Sequence, residues 1–262
     1  MHAPDISPVL ISLGPLQVRW YALMYVVGFI LAGYLLKNLI KKNFLKITEE
    51  QIDSLTFIMG LCMVLGARFI YVFVYNWSYY QHNLGEVFAV WKGGLSFHGA
   101  VLGFLVAGFI FAKKNKVEWG QIMDSVCLVG APGIFFGRLG NFINGELYGR
   151  ITTSPVGMIF KTGGPYPRHP SQLYEAFFEG LVLSLILWFA VNKVKKYWQI
   201  SSFFLIGYGA FRFGVEFFRE ADAQLGYYFG FMTMGQILCA IMIIAGFALY
   251  AMANKLNQKI YN

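Results

Sequence analysis

The stretch WYALMYVVGFILAGYLLKNLI at residues 20–40 decides the fold class of this chain. Its length is close to the roughly 20 apolar residues that an α-helix needs to cross the hydrocarbon core of a bilayer. Six further apolar runs follow, at about residues 54–75, 95–112, 119–139, 173–191, 201–218 and 231–253. The sequence therefore predicts an all-α integral membrane protein with about seven transmembrane helices, in one polytopic domain over residues 1–262.

The composition of the whole chain excludes a soluble enzyme fold. Of its 262 residues, 57% are hydrophobic and 13% are charged, whereas a soluble domain carries roughly 25% charged residues. Mean hydropathy is +0.55. The 29 glycines indicate closely packed helices, because helix association in lipid depends on small residues. The net charge of +8 does not indicate a nucleic-acid partner, since loop lysines set orientation in membrane proteins.

The positions of the lysines predict the orientation of the chain. Lysines cluster after the first, third, fifth and seventh apolar runs, which places these four loops on the cytoplasmic face under the positive-inside rule. The clusters are Lys37, Lys41, Lys42 and Lys46, then Lys113, Lys114 and Lys116, then Lys193, Lys195 and Lys196, and finally Lys255 and Lys259. We predict an external N-terminus, a cytoplasmic C-terminus, and a small, loop-rich outer cap at residues 140–172.

The arginines have a different distribution. They avoid the lysine clusters and occupy outer loops, the outward ends of apolar runs or, for Arg68, the interior of the second run. Arginine suits bidentate recognition of phosphate, and an ionisable residue inside a membrane is by default a candidate functional residue. We therefore predict that the outer half of the protein holds anions, while Arg68 has a structural or lipid-positioning role.

The densest polar run is GRLGNFINGELYG at residues 137–149. Arg138 and Asn141 are three residues apart, so they share one face if the helix persists and can hold one anionic group together. Asn144 and Glu146 add hydrogen-bonding capacity, and the glycines up to Gly149 allow the backbone to turn. The alternative interpretation is an interfacial arginine that extends toward water beside a polar turn. Pro132, upstream in the same run, is expected to kink the helix or to end its first half.

A second polar series lies along the sixth run. Tyr208, Arg212 and Glu216 recur every four residues on one helical face, with Arg219 one turn further. The functional interpretation makes Arg212 a second phosphate ligand facing Arg138, positioned by Glu216, with Tyr208 donating to a lipid headgroup. Alternatively, Arg212 and Glu216 form a purely structural pair.

Tyr21 and Tyr25 are one turn apart in the first run, where they fit either headgroup contact or an interfacial aromatic belt.

His98 begins the third run, and its imidazole suits either proton transfer near neutral pH or a structural hydrogen bond. His169 is expected to be structural. The three cysteines lie in apolar runs and are expected to be inert thiols. Histidines and cysteines show no metal-ligand spacing, and no dinucleotide motif is present, so neither a metal nor a cofactor is predicted.

The run at 137–149 resembles the signature of the prolipoprotein diacylglyceryl transferase family. The family pattern is Gly-Arg, a variable residue, a small residue, Asn-Phe, an apolar residue and Asn, then Glu two positions on and Gly three further. Other segments resemble the family in the same order: RWY at 19–21, GGLSFHG at 93–99, HPSQLYE at 169–175 and YGAFRF at 208–213. One departure is Ala221, where the family commonly has proline, so a less rigid turn is expected.

The resemblance implies a multi-pass enzyme of the bacterial inner membrane, with its active site toward the outer face. Such an enzyme transfers the diacylglyceryl group of phosphatidylglycerol to the thiol of the lipobox cysteine in a prolipoprotein signal peptide. Glycerol 1-phosphate leaves, and no cofactor is needed. The implied partners are phosphatidylglycerol, the prolipoprotein and the lipid bilayer. The catalytic residues would be Arg138, Arg212 and, as the base, His98. The substrate-binding residues would be Arg138, Tyr21, Asn141, Asn144, Glu146, Gly149, Tyr208, Glu216 and Arg219.

The alternative function is an anion or lipid transporter whose arginines form an outer-leaflet binding site. A transporter needs polar residues that continue toward the inner face, and Asp124 is the obvious candidate. No inverted repeat is apparent. A structural scaffold is a third possibility, but it leaves the outer arginines and asparagines unexplained.

Overall fold

The structure is a computed structural model that describes residues 1–13, 16–220, 228 and 230–255. It begins with two antiparallel strands, β1 (Val9–Leu13) and β2 (Leu16–Arg19), in which Ile11 lies opposite Val18. Such short segments escape a hydropathy analysis tuned to membrane spans, and the sequence analysis did not predict this hairpin.

Helices make up most of the described chain. The first five are α1 (Trp20–Lys41), α2 (Glu49–Ile70), the short α3 (Trp77–Tyr80), α4 (Phe97–Asn115) and α5 (Trp119–Ile143). A π-helical turn, Tyr71–Tyr75, extends α2. The next helix runs from Ser171 to Ala190 and consists of α6 (Ser171–Glu175), a π-helical segment (Ala176–Val182) and α7 (Leu183–Ala190). The last two are α8 (Gln199–Val215) and α9 (Met234–Lys255).

Six helices of the described chain are long and apolar enough to cross a bilayer: Trp20–Lys41, Glu49–Tyr75, Phe97–Asn115, Trp119–Ile143, Ser171–Ala190 and Met234–Lys255. The remaining predicted span corresponds to α8, whose 17 residues are at the lower end of the length that can span a bilayer. The predicted helical membrane fold is confirmed. The count of seven spans and the orientation stay predictions.

Helix α5 continues without interruption through Pro132. Of the two effects predicted for Pro132, a kink or an end to the first half of the helix, the second does not occur, since neighbouring groups in a helical membrane protein can satisfy the freed carbonyl. The helix continues to Ile143, so Arg138 and Asn141 do share one helical face. Consequently the irregular part of the predicted cap is confined to residues 144–170.

The chain divides into two compact units, Leu36–Met123 and the combination of Met1–Leu35 with Asp124–Asn262. In the unit Leu36–Met123, α2 and α4 approach closely through glycines. A Cβ atom on Gly66 would lie 2.4 Å from the Gly99 carbonyl oxygen, and one on Gly103 would lie 2.1 Å from the Cys62 carbonyl oxygen. These contacts confirm the close packing predicted from the glycine content.

The other unit uses glycines in the same way. A Cβ atom on Gly180 would lie 2.6 Å from the backbone of Phe135, which brings the Ser171–Ala190 helix directly against α5. On α8, a Cβ atom on Gly209 would lie 3.1 Å from the Cys239 carbonyl oxygen of α9. These approaches bring the polar side chains of α5, α6 and α8 within reach of one another.

Candidate active site

Charged side chains from three helices meet in the unit that contains α5 to α9. The cluster, called here the arginine–glutamate cluster, consists of Arg138, Glu175, Glu179, Arg212, Glu216 and Arg219. Glu175 is its centre. One carboxylate oxygen lies 2.7 Å from Arg138 Nε, and the other lies 2.9 Å from Arg212 Nη1 and 2.7 Å from Arg219 Nη1. A single buried carboxylate therefore orients all three arginines.

Glu216 holds Arg212 from the other side. Its Oε2 lies 2.6 Å from Arg212 Nη2, and its Oε1 accepts a hydrogen bond of 3.0 Å from the Thr233 hydroxyl. Gly235 lies directly beside this carboxylate, since a Cβ atom there would be 2.6 Å from Glu216 Oε1. The predicted positioning of Arg212 by Glu216 is present in the structure.

Glu179 is placed differently from the other two glutamates. Its oxygens lie 3.6 Å from Arg138 Nη2 and 3.8 Å from Arg212 Nη1, distances too long for hydrogen bonds. The side chain is fully buried. It contributes charge to the cluster without being a hydrogen-bonded partner of either arginine.

The convergence of Arg138 and Arg212 was expected from the sequence, and so was Glu216, but two further carboxylate partners, Glu175 and Glu179, were missed. Glu175 and Glu179 are one helical turn apart inside an apolar run. Acidic residues inside a membrane span are by default candidate functional residues, so this pair could have been recognised in the sequence. Glu175 also closes the HPSQLYE segment. The structure adds both glutamates to the candidate site.

Polar side chains around the C-terminal end of α5 form a second group. Asn141 and Asn144 donate to Glu146 Oε1 over 2.9 and 3.1 Å, and Gln172 donates to the Glu146 carbonyl oxygen over 2.6 Å. The amide oxygens of Asn144 and Gln172 are buried and accept no hydrogen bond from any described residue. The predicted residues are thus together, and two acceptors remain available to a donor.

Gly149 has a structural reason to be glycine. Its N–H donates to the His169 carbonyl oxygen over 2.8 Å, and a Cβ atom would lie 2.1 Å from the Phe218 carbonyl oxygen. His169 Nδ1 lies 3.1 Å from the Tyr174 hydroxyl, and burial lowers the pKa of this imidazole. Its contacts agree with the structural role predicted for His169.

Two cap arginines bind backbone rather than a ligand. Arg150 Nε donates to the Arg219 carbonyl oxygen over 2.6 Å, while Arg168 donates to the carbonyl oxygens of Gly163 and Gly149 and pairs with Glu220. These two arginines stabilise the cap, and the expectation that the outer half of the protein holds anions stays a prediction.

The tyrosines expected at the site lie on α1 and α8. Tyr21 and Tyr25 place their hydroxyl oxygens 3.0 Å apart, and Tyr21 packs on Gly140, where a Cβ atom would be 2.9 Å from its ring. Tyr208 stacks on Phe204 at 5.7 Å between ring centroids.

Some residues named in the sequence analysis lie outside the described part of the structure. They are the side chain of Arg19, the residues Ala221 and Asp222, and Lys259.

His98 lies in the other compact unit, on the first turn of α4. Ser96 caps this helix by accepting a hydrogen bond of 3.2 Å from the Gly99 N–H. The imidazole is exposed, and its Nδ1 lies 2.7 Å from the Tyr75 hydroxyl. Tyr75 was not predicted as a partner of His98.

Arg68 fixes the loop that precedes His98. Its guanidinium donates to the carbonyl oxygens of four residues over 2.7 to 3.0 Å, namely Glu86, Val87, Gly93 and Gly94. Gly93 and Gly94 have φ values of 85° and 77°, which glycine adopts readily. Of the two roles predicted for Arg68, structural or lipid-positioning, these contacts agree with the structural one.

Asp124 does not behave as a transport-pathway residue. Its carboxylate accepts hydrogen bonds from the Trp198 N–H at 2.8 Å, the Ser201 N–H at 2.7 Å and the Ser201 hydroxyl at 2.6 Å. Trp198 and Ser201 belong to the N-terminal end of α8, so Asp124 caps that helix. The presence of Asp124 in an apolar run, which made it the candidate pathway residue of a transporter, is therefore explained by its structural role at the start of α8.

Among the described residues, no group of three or more histidine, cysteine, aspartate or glutamate side chains is arranged to hold a metal ion.

Sequence comparisons assign the family. A family model described as prolipoprotein diacylglyceryl transferase matches residues 8–252. Phosphatidylglycerol–prolipoprotein diacylglyceryl transferases from Photobacterium profundum and Vibrio vulnificus are 47% and 48% identical to this chain. The alignments cover 98% and 96% of this chain and 96% and 93% of those relatives. A third such enzyme, from Nitratidesulfovibrio vulgaris, is 46% identical over 93% of each chain. The chain belongs to the prolipoprotein diacylglyceryl transferase family.

Proposed function

We propose that this chain transfers the diacylglyceryl group of phosphatidylglycerol to the thiol of the lipobox cysteine in a prolipoprotein signal peptide. This reaction is the first step of bacterial lipoprotein maturation. The proposed location is the inner membrane, with the active site toward the outer face. The observation that carries the proposal is the arginine–glutamate cluster, because a phosphodiester substrate requires converging guanidinium groups.

The cluster presents its positive groups outward. The side chains of Arg138, Arg212 and Arg219 are 21%, 14% and 15% exposed, whereas Glu175 is 1% exposed. The carboxylates thus lie behind the guanidiniums, and the accessible edge of the cluster is cationic. We place the lipid phosphate at this edge, held by Arg138 and Arg212, with Arg219 beside them.

We assign the headgroup glycerol to the polar side chains around the C-terminal end of α5, those of Asn141, Asn144 and Glu146. Glycerol hydroxyls are donors, and the unpartnered amide oxygen of Asn144 is a suitable acceptor. Asn141 and Glu146 position Asn144 through the shared contact at Glu146 Oε1. Tyr21 and Tyr208 supply further hydroxyl groups for the lipid, while Gly149 and Glu216 support the binding residues around them.

The chemistry is substitution at a glycerol carbon. The substrate sulfur forms a bond to the lipid glycerol carbon next to the phosphate, and the carbon–oxygen bond to the phosphate breaks with its electrons moving to that oxygen. The arginines stabilise the charge that accumulates on the leaving glycerol 1-phosphate. His98 accepts the thiol proton. If Nδ1–H of His98 donates to the Tyr75 oxygen, Nε2 is the free acceptor that this role requires.

The test is transfer of radiolabelled diacylglyceryl from phosphatidylglycerol to a lipobox peptide by the purified protein. We expect label on the cysteine peptide, none on a peptide with serine in place of cysteine, and loss of transfer with Arg138→Ala. Lys114→Gln, which removes an exposed positive charge at the end of α4, is the matched control and is expected to retain activity. A folded native protein that transfers no label in the presence of both substrates would overturn the proposal.

A further inference from the structure

Glu179 is a buried carboxylate without a hydrogen-bond donor. Its side chain has no exposed surface, and neither oxygen has a hydrogen-bond partner among the described residues. The nearest guanidinium nitrogens are 3.6 and 3.8 Å away. Burying an ionised carboxylate that lacks hydrogen bonds is costly, so this position favours a group that can become neutral.

The other two glutamates of the cluster are held as ions. Glu175 lies within 2.9 Å of a nitrogen of each of the three arginines. Glu216 lies 2.6 Å from Arg212 and accepts from Thr233. Short contacts of this kind between guanidinium and carboxylate stabilise the charged form of the acid.

The net charge of the arginine–glutamate cluster therefore depends on whether Glu179 is protonated. Three arginines and three ionised glutamates sum to zero, and such a site has no net attraction for an anion. With Glu179 neutral, the same site has one net positive charge. A phosphodiester such as the phosphate of phosphatidylglycerol has one negative charge, and it would restore neutrality in a buried site where excess charge is costly.

We propose that Glu179 determines the affinity and charge specificity of the site by binding a proton when the lipid phosphate binds. Glu179 is ionised in the empty site, where it balances the third arginine, and neutral in the lipid complex. It touches neither the substrate nor the reacting atoms and is a positioning residue. This inference rests on the proposed placement of the phosphate at Arg138 and Arg212.

Several charged or titratable groups face Glu179. Arg138 faces it from α5, Tyr208 and Arg212 from α8, Arg219 from the segment after α8 and Cys239 from α9, while Glu175 lies on its own helix. The arginines stay protonated throughout the accessible pH range, and Tyr208 is neutral in its ordinary form. Of the two glutamates on this helix, Glu179 is the one without a short guanidinium contact, so it is the carboxylate placed to take up a proton.

The experiment measures binding of short-chain phosphatidylglycerol to the full chain in detergent across pH. Coupled uptake of one proton makes native affinity fall by up to about tenfold per pH unit over the pH range in which Glu179 is ionised in the empty site and neutral in the complex. Glu179→Gln, which resembles the neutral form, is expected to bind with less than about twofold variation over that range. Glu50→Gln, an exposed carboxylate on α2, is the matched control and should keep the native pH dependence.

A second measurement needs no variant. When phosphatidylglycerol is added to the native protein in weakly buffered solution, we expect uptake of about one proton per bound lipid. Difference infrared spectroscopy should show a protonated carboxyl band in the complex that is lost in Glu179→Gln. Native pH dependence in Glu179→Gln, or lipid binding by the native protein without proton uptake, would overturn the inference. Unchanged lipid binding by Arg138→Gln would instead overturn the proposed phosphate site.

Discussion

Arg68 and Arg138 are both arginines inside apolar helices, but the structure gives them opposite kinds of partners. Arg68 is 5% exposed and donates to four backbone carbonyl oxygens, which belong to residues fixed in a loop. The side chain of Arg138 is 21% exposed and binds the side-chain carboxylates of Glu175 and Glu179. Carbonyl oxygens accept hydrogen bonds from four of the five N–H donors of Arg68, whereas Arg138 keeps an accessible edge.

This difference separates a structural arginine from a substrate-binding one. A guanidinium has five N–H donors, and Arg68 places its donors on loop carbonyls that cannot move without unfolding the loop. The arginines of the cluster share Glu175, so an incoming phosphate can add to their exposed edge while the carboxylates keep them oriented. The predictions below test this distinction.

The largest effect is expected from Arg138→Lys. Lysine preserves the charge but not the planar pair of donors that a phosphate and Glu175 require. We expect transfer to fall about 100- to 1,000-fold, as for removal of a transition-state donor. The measurement is kcat/KM for diacylglyceryl transfer to a lipobox peptide. Near-native activity would show that charge alone is sufficient at this position.

Glu175→Gln should reduce both activity and stability. The amide cannot balance three guanidiniums, and breaking a buried ion pair costs about 3 to 5 kcal/mol. We expect a lower midpoint of thermal unfolding in detergent and roughly 100-fold slower transfer, because the arginines lose their common support. Glu50→Gln is the control for the same chemical change at an exposed site. If Glu175→Gln unfolds like the native protein, the three arginines do not depend on this carboxylate.

Arg68→Lys should act on the loop and not on lipid binding. A lysine cannot reach four carbonyl oxygens, so amide hydrogen exchange at residues 86–94 should accelerate. We expect transfer to fall by about tenfold, because His98 follows this loop, with lipid affinity within about twofold of native. Strongly weakened lipid binding would place Arg68 among the anion-binding residues and remove the distinction drawn above.

Tyr75→Phe should have the smallest effect. Removing the hydroxyl deletes the 2.7 Å contact with His98 Nδ1 and leaves the imidazole free to change tautomer. We expect kcat to fall several-fold, because the loss of one hydrogen bond has a modest free-energy cost. The KM for phosphatidylglycerol should not change. An unchanged kcat in Tyr75→Phe would show that this contact does not orient a catalytic base.

Local patterns in the sequence determined where the helices lie and which polar residues share a helical face. Hydropathy located every long helix, because membrane spanning depends on the length of an apolar run. Helical periodicity placed Arg138 with Asn141 and Tyr208 with Arg212, because these spacings are properties of a single helix. That Arg138 and Arg212 converge also followed from the chemistry of the residue type, whereas the backbone partners of Arg68 did not.

Only the tertiary structure decided which side chains are partners. Glu175 and Glu179 join the arginines because Gly180 lets their helix approach Phe135 of α5, and Asp124 caps α8 across 74 residues of sequence. Arg138, Arg150 and Arg168 look alike in the sequence, yet Arg138 meets buried carboxylates, whereas Arg150 and Arg168 donate to backbone carbonyls. The carboxylate that Arg168 also contacts, that of Glu220, is exposed. Composition and periodicity describe one segment at a time, whereas ion pairs between helices depend on how closely those helices pack.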